Sequence, residues 1–131
     1  MFLDASAIIA ILVRESDATS LAARLGQARK VYTSPLAIFE AVLGLARIGN
    51  IAPGAAHAVL ERFLDEVEAE TVPIDAALGL GALEAFARFG RGRHAAALNL
   101  GDCFAYACAE RLAVPLLCKG DDFPQTDIAI A

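Results

Sequence analysis

No apolar run in this chain approaches the ~18–20 residues that a helix needs to cross a membrane. Yet 57% of its residues are hydrophobic and its mean hydropathy is +0.54. An apolar excess without a span must be covered some other way, so a sizeable interface with a partner or a second copy is expected. Positive charge is also scarce: 11 Lys and Arg stand against 16 Asp and Glu, a net charge of −5. That argues against a protein that grips nucleic acid mainly through bulk electrostatics. It leaves room for a nuclease that carries acids for a metal and a local basic strip for phosphate. The opening residues Met1-Phe2-Leu3-Asp4 carry an acid where a signal peptide carries positive charge, so a cytoplasmic location is expected.

Cys103, Cys108 and Cys118 are odd in number and fit no zinc spacing. Three small buried thiols in a reducing compartment are expected. There is no internal repeat, no low-complexity tract and no linker. No Ser or Cys pairs with a base as a nucleophile would, and no glycine-rich phosphate loop is present.

A length of 131 residues fits one domain spanning 1–131. Short apolar runs alternate with helical patterns, which indicates an α/β fold. Phe2-Leu3 reads as a buried strand ending at Asp4, and Ser6 to Leu12 as the helix after it. Asp17 to Gly26 reads as a second helix, capped by Ser16 or Asp17. A strand is expected at Val31-Tyr32-Thr33, then a helix opened by Ser34-Pro35 and ended by Gly49-Asn50. Pro53 to Ala69 is the next helix. Leu60, Phe63, Leu64 and Val67 form its buried face, and Glu61, Asp65, Glu66, Glu68 and Glu70 its solvated one. Thr71 to Ile74 reads as a strand, and Asp75 caps a helix to about Phe89. Gly90 to His94 is a loop, and Gly101-Asp102 opens a helix to about Leu112. Val114 to Cys118 is the last strand, followed by a turn over Lys119 to Phe123. Strands that alternate with helices make a mostly parallel sheet covered on both faces.

Open parallel sheets bind ligands beyond the carboxyl ends of their strands. Asp4 stands there after the first strand, and Asp121 and Asp122 after the last. Asp102 lies in a helix's first turn, where the dipole favours an anion. Glu40 lies in an apolar helix and shares a face with Leu36 and Leu43 by spacing, a costly place for an unpaired carboxylate. Each acid alone has a plain structural use. Asp4 can cap a helix, Glu40 can reach water at the stripe's edge or pair with Arg47, and Asp121-Asp122 can be turn chemistry. Together they are harder to explain away, because one parallel fold brings several to the same edge. With His57 and His94 outside the cluster, such a donor set suits Mg²⁺ or Mn²⁺ rather than zinc. A cation held by carboxylates can activate water and stabilise in-line displacement at phosphorus.

Four segments in this order and spacing resemble the PIN-domain ribonucleases, specifically the VapC toxins of bacterial toxin–antitoxin pairs. They are Phe2-Leu3-Asp4-Ala5-Ser6-Ala7, Ser34 to Glu40, Leu98 to Phe104, and Leu117 to Phe123. The resemblance covers essentially the whole length. It implies a three-layer α/β sandwich with a mostly parallel central sheet flanked by helices. It implies that Asp4, Glu40 and Asp102 form the acidic site holding a divalent ion, Mg²⁺ with Mn²⁺ able to substitute, with Ser6 supporting it through hydrogen bonds. The family's Asp-Phe pair falls on Asp122-Phe123, which makes Asp122 the fourth acid. Gly120 stands where many members carry another acid, so Asp121 remains an alternative. Members are endoribonucleases that cut RNA of the translation apparatus (tRNA, rRNA or mRNA). They are commonly homodimers and are silenced by a small VapB-like antitoxin.

Arg88, Arg91, Arg93 and His94 make a local basic strip, open to reading as phosphate contacts near the acids or as a solvated loop. Lys119 is open to the same two readings. Phe104 and Tyr106 are expected in the core rather than stacked on bases. Two rivals share the acidic edge but not the motif. A two-component receiver domain needs an acid pair after its first strand, where Leu3-Asp4-Ala5 supplies one. A haloacid-dehalogenase-type phosphatase needs Asp at the place of Ser6. A PIN-like binding module without catalysis is the alternative from a different class.

Overall fold

The computed structural model describes residues 1–131. Four two-residue strands carry the sheet: β1 (Phe2–Leu3), β2 (Tyr32–Thr33), β3 (Glu70–Thr71) and β4 (Leu116–Leu117). All pair in parallel, in the order β3-β2-β1-β4. Phe2 lies opposite both Tyr32 and Leu116, and Leu3 opposite Leu117. Side chains alternate across a sheet. Phe2 and Leu116 therefore enter one core and Leu3 and Leu117 the other.

Six helices cover the two faces: α1 (Ala5–Leu12), α2 (Ala18–Leu25), α3 (Pro35–Gly49), α4 (Pro53–Glu66), α5 (Ala76–Phe89) and α6 (Leu100–Leu112). Helices α1 to α4 pack on the Leu3 and Leu117 side; α5 and α6 pack on the Phe2 and Leu116 side. The result is the expected three-layer α/β sandwich, and Cys103, Cys108 and Cys118 are free and buried as expected.

The starts of the helices follow side-chain chemistry. Ser34 Oγ accepts from the Ala37 amide at 3.1 Å, with Pro35 at the first helical position. Asp75 Oδ1 accepts from Leu78 N at 2.8 Å. Asp17 occupies the cap position of α2 but makes no capping bond. Helix α3 stops at Asn50, whose φ of 49° is left-handed. It packs closely on α1 because residue 44 is glycine; a Cβ there would come within 2.4 Å of Ile9 Cδ1.

Three local expectations need correction. The third strand is Glu70–Thr71 rather than Thr71 to Ile74: Val72 N donates to Thr33 O at 2.8 Å, and Pro73 has no N–H to extend the ladder. Helix α4 ends at Glu66 rather than Ala69, because Glu68 turns to a φ of 50°. The buried stripe of α3 is Ala37, Ala41, Gly44 and Leu45; the Leu36-Glu40-Leu43 face lies at its edge, with Leu43 48% exposed. The chain's end also covers the outer edge of β4, where Leu116 N donates to Ala129 O at 2.8 Å and Ala131 N to Leu116 O at 3.0 Å.

Candidate active site

The carboxyl ends of the neighbouring strands β1 and β4 meet through Ser6. Asp4 follows β1 directly and caps α1, its Oδ2 accepting from Ser6 N at 2.9 Å and from Ser6 Oγ. The same Ser6 oxygen accepts from Lys119 N at 2.9 Å, which ties the exit of β4 to the exit of β1. Asp4 is only 5% exposed. Burial pushes its carboxyl above the ordinary range, and hydrogen bonds from Ser6 and the Ala5 amide pull it part of the way back.

Asp102 is the third residue of α6. Its Oδ2 accepts from Asn99 N at 2.8 Å while Asn99 Oδ1 accepts from Asp102 N at 3.0 Å, a reciprocal cap. Burial raises its pKa first, the Asn99 amide opposes this, the charges of Asp4 and Asp122 add to the rise, and Arg91 opposes it. Glu40, halfway along α3, lays its carboxylate against Gly101, the residue before Asp102. Its pKa is pushed up to about 7, first by burial and then by the charges of Asp4 and Asp102. Neither Arg47 nor any other cation forms an ion pair with it.

Asp121 and Asp122 lie in the exposed turn after β4, past Gly120, whose φ is 99°. Asp122 raises the pKa of both Asp102 and buried Cys118, which places it electrostatically with the cluster. Asp121 figures in neither effect; its backbone oxygen accepts from Gln125 Nε2 at 3.0 Å. Charge effects therefore couple Asp4, Glu40 and Asp102 and bring in Asp122 through Asp102, while Asp121 takes no part in them.

This donor set fits a hard divalent cation in chemistry and charge: Asp4, Glu40 and Asp102 act on one another electrostatically, Asp122 acts on Asp102, and Arg91 is the one basic influence on them. As the side chains stand, no three of them close on one point. Asp102 Oδ2 is turned back to Asn99, and Asp4 Oδ2 is taken by Ser6.

The basic residues separate. Arg91 reaches Asp102 electrostatically. Arg93 lies over the Phe86 ring, 5.5 Å from its centroid, and His94 Nδ1 accepts from Ala96 N at 3.1 Å with its ring edge-on to Phe89. Lys119 Nζ pairs with Glu15 and Asp17 rather than standing free. Arg88 is tied to Asp127 and to Tyr106 Oη. Tyr106 is fully buried in the core, as expected.

Two features escaped the reading of the sequence. The Asn99–Asp102 cap was signalled by an Asn three residues ahead of an Asp at a helix start. The contact of Gly101 with Glu40 joins residues 40 and 101 across the fold and has no local signature.

The PIN domain family model matches residues 1–129. The chain is 43% identical to a VapC ribonuclease of Rhizobium meliloti (strain 1021), over 97% of this chain and 98% of that protein. It is 38% identical to Ribonuclease VapC36 of Mycobacterium tuberculosis (strain ATCC 25618 / H37Rv), over 98% and 91%. Among solved structures it is similar in fold to the Mycobacterium tuberculosis toxin VapC20, described as cleaving the Sarcin-Ricin loop. The TM-score is 0.77 at 16% identity, covering 99% of this chain and 97% of that one. A toxin–antitoxin complex from Klebsiella pneumoniae gives a TM-score of 0.69 at 13% identity, over 99% and 95%.

Proposed function

The chain belongs to the PIN-domain family, and from that premise we propose that its carboxylate cluster holds a divalent cation and hydrolyses RNA there. Its relatives over nearly the whole length are VapC ribonucleases; its activity is that of a ribonuclease, and its setting is that of the toxin in a toxin–antitoxin pair. The finer reading assigns Asp4, Glu40, Asp102 and Asp122 to the cation, Mg²⁺ with Mn²⁺ as a substitute. The observation that carries it is the Glu40 carboxylate, which lies against Gly101 beside Asp102 with no paired cation and whose pKa is pushed up to about 7, first by burial and then by the charges of Asp4 and Asp102.

A divalent cation bound there supplies an activated water and stabilises charge at the phosphorus. The protein supplies the frame. Ser6 fixes Asp4 against the exit of β4, and the Asn99 amide fixes Asp102 at the start of α6. Arg91 gives the one positive influence at the site, suited to positioning a phosphate without reading sequence. The substrate is RNA of the translation apparatus: tRNA, rRNA or mRNA. The partner that silences the toxin is a VapB-like antitoxin, and the site of action is the cytoplasm.

The apolar excess has a place in this reading. Leu80, Leu83, Phe86 and Leu100 are 39–67% exposed around an open groove of about 550 Å³ between α5 and α6. A second copy of the chain covers it, making a homodimer. Leu83→Glu is expected to shift the purified protein from dimer to monomer in light scattering; an unchanged mass would remove this face from the interface.

The function is tested by incubating total bacterial RNA with purified toxin, with Mg²⁺ or Mn²⁺ and with EDTA. Discrete fragments that need the cation and vanish in Asp102→Asn are expected. Cleavage that persists in EDTA, or in Asp102→Asn, contradicts the metal assignment. No cleavage by folded, antitoxin-free protein favours a binding module instead.

A further inference from the structure

We propose that Gly101 is a positioning residue for Glu40: the missing side chain at the second residue of α6 lets that carboxylate lie against the helix within reach of Asp4 and Asp102. The inference deepens the metal-site reading and rests on it. Gly101 is buried, and its backbone is not in the left-handed region that requires glycine. Alanine would serve a helix better at this position, because glycine gives up more chain freedom on folding. The reason for glycine must therefore be space.

The space is filled by one group. A Cβ built on Gly101 would stand 2.2 Å from Glu40 Oε1, 2.3 Å from Oε2 and 2.5 Å from Cδ. All three are closer than non-bonded atoms approach. Among the helix glycines, Gly44 is also obstructed, but by the apolar side chain of Ile9, whereas around Gly54 and Gly79 a Cβ would meet nothing within 4 Å; only at Gly101 is the obstructing group a carboxylate. The obstructed atoms are the far end of a flexible side chain, so a methyl group at 101 displaces the Glu40 carboxylate and spares the helix. That carboxylate sits at the first turn of α6, where the helix dipole favours an anion and where Asp102 is anchored. Glu40 and Asp102 come from helices far apart in sequence, and Gly101 is the point at which α3 and α6 close the acid cluster together.

The test is Mn²⁺ titration by calorimetry, with thermal melts of the metal-free protein, on full-length antitoxin-free wild type, Gly101→Ala, Glu40→Asp, the double variant, and Gly54→Ala as control. Gly101→Ala is expected to weaken Mn²⁺ binding about tenfold or more, with a melting temperature equal to or above wild type. Gly54→Ala should bind as wild type. In the Glu40→Asp background, where the side chain is one methylene shorter, Gly101→Ala should cost little further. Wild-type affinity in Gly101→Ala overturns the inference. So does an equal loss in both backgrounds, or a loss accompanied by a lowered melting temperature. Absence of Mn²⁺ binding by wild type would instead overturn the reading of the acid cluster, and this inference with it.

Discussion

Helix α6 takes part in two carboxylate clusters, and they are built on opposite terms. Along its later turns, Asp127 accepts from Tyr106 Oη at 2.6 Å and pairs with Arg88, while Tyr106 Oη also contacts Glu110 at 3.3 Å. The Tyr106 hydroxyl, followed by the Arg88 guanidinium, holds Asp127 below the ordinary carboxylate range. At the first turn the reverse holds: Asp102, Glu40 and Asp4 are all raised, each by burial first, and the charges of neighbouring acids add to the rise at Glu40 and Asp102. One cluster satisfies its charges and fastens the chain's end to α5 and α6. The other has hydrogen bonds to Asp4 and Asp102 but no paired cation, at the edge of a parallel sheet. Raised acids gathered without a paired cation are where function concentrates, because their like charges oppose one another in the folded chain.

The two clusters should break differently. Asp4→Asn is expected to have the largest effect, lowering RNA cleavage by at least about 100-fold, as loss of a metal ligand should exceed loss of an outer-shell partner. Its folding stability should be retained, as urea denaturation would check. Tyr106→Phe in the satisfied cluster should do the opposite. It removes the hydroxyl shared by Asp127, Arg88 and Glu110, costing about 1–3 kcal/mol of stability, with Mn²⁺ affinity unchanged.

A smaller effect of opposite sign is expected at Glu40. Its folded-state pKa of about 7 lies above its ordinary value of 4.5. Between those values the folded chain binds more protons than the unfolded one, so the metal-free protein loses stability as pH rises through that window. Glu40→Gln should raise metal-free stability at pH 8 by on the order of 1 kcal/mol and flatten its decline between pH 5 and 8. A lowered stability at pH 8 would mean that Glu40 is satisfied by the fold itself.

The same contrast explains what was legible beforehand. Helix starts were readable because their signals are local: Ser34-Pro35 and Asp75 cap the helices that follow them. The sheet's layering was readable from short apolar pairs such as Phe2-Leu3 and Leu116-Leu117, whose alternation feeds two cores. The acids were legible because Asp4 and Asp122 follow strands that a parallel sheet must bring together. Less legible was everything set by long-range packing. The face of α3 that turns inward is decided by the close approach of Gly44 to Ile9, not by the larger side chains Leu36 and Leu43. Lys119 is open in the sequence to a phosphate contact or to flanking a turn, and the turn between α1 and α2 brings Glu15 and Asp17 to it. Arg88 was grouped with the loop cations, yet it belongs to the network at the chain's end.

The central claim is that the crowding of Asp4, Glu40 and Asp102 is relieved by a divalent cation. Its most direct test is the melting temperature of antitoxin-free protein with and without Mn²⁺, at pH 6 and pH 8. Protons on Glu40 compete with the cation. The account therefore predicts a rise with Mn²⁺ that is larger at pH 8 than at pH 6 and is lost in Asp4→Asn. No rise at either pH, or an equal rise in Asp4→Asn, would contradict it.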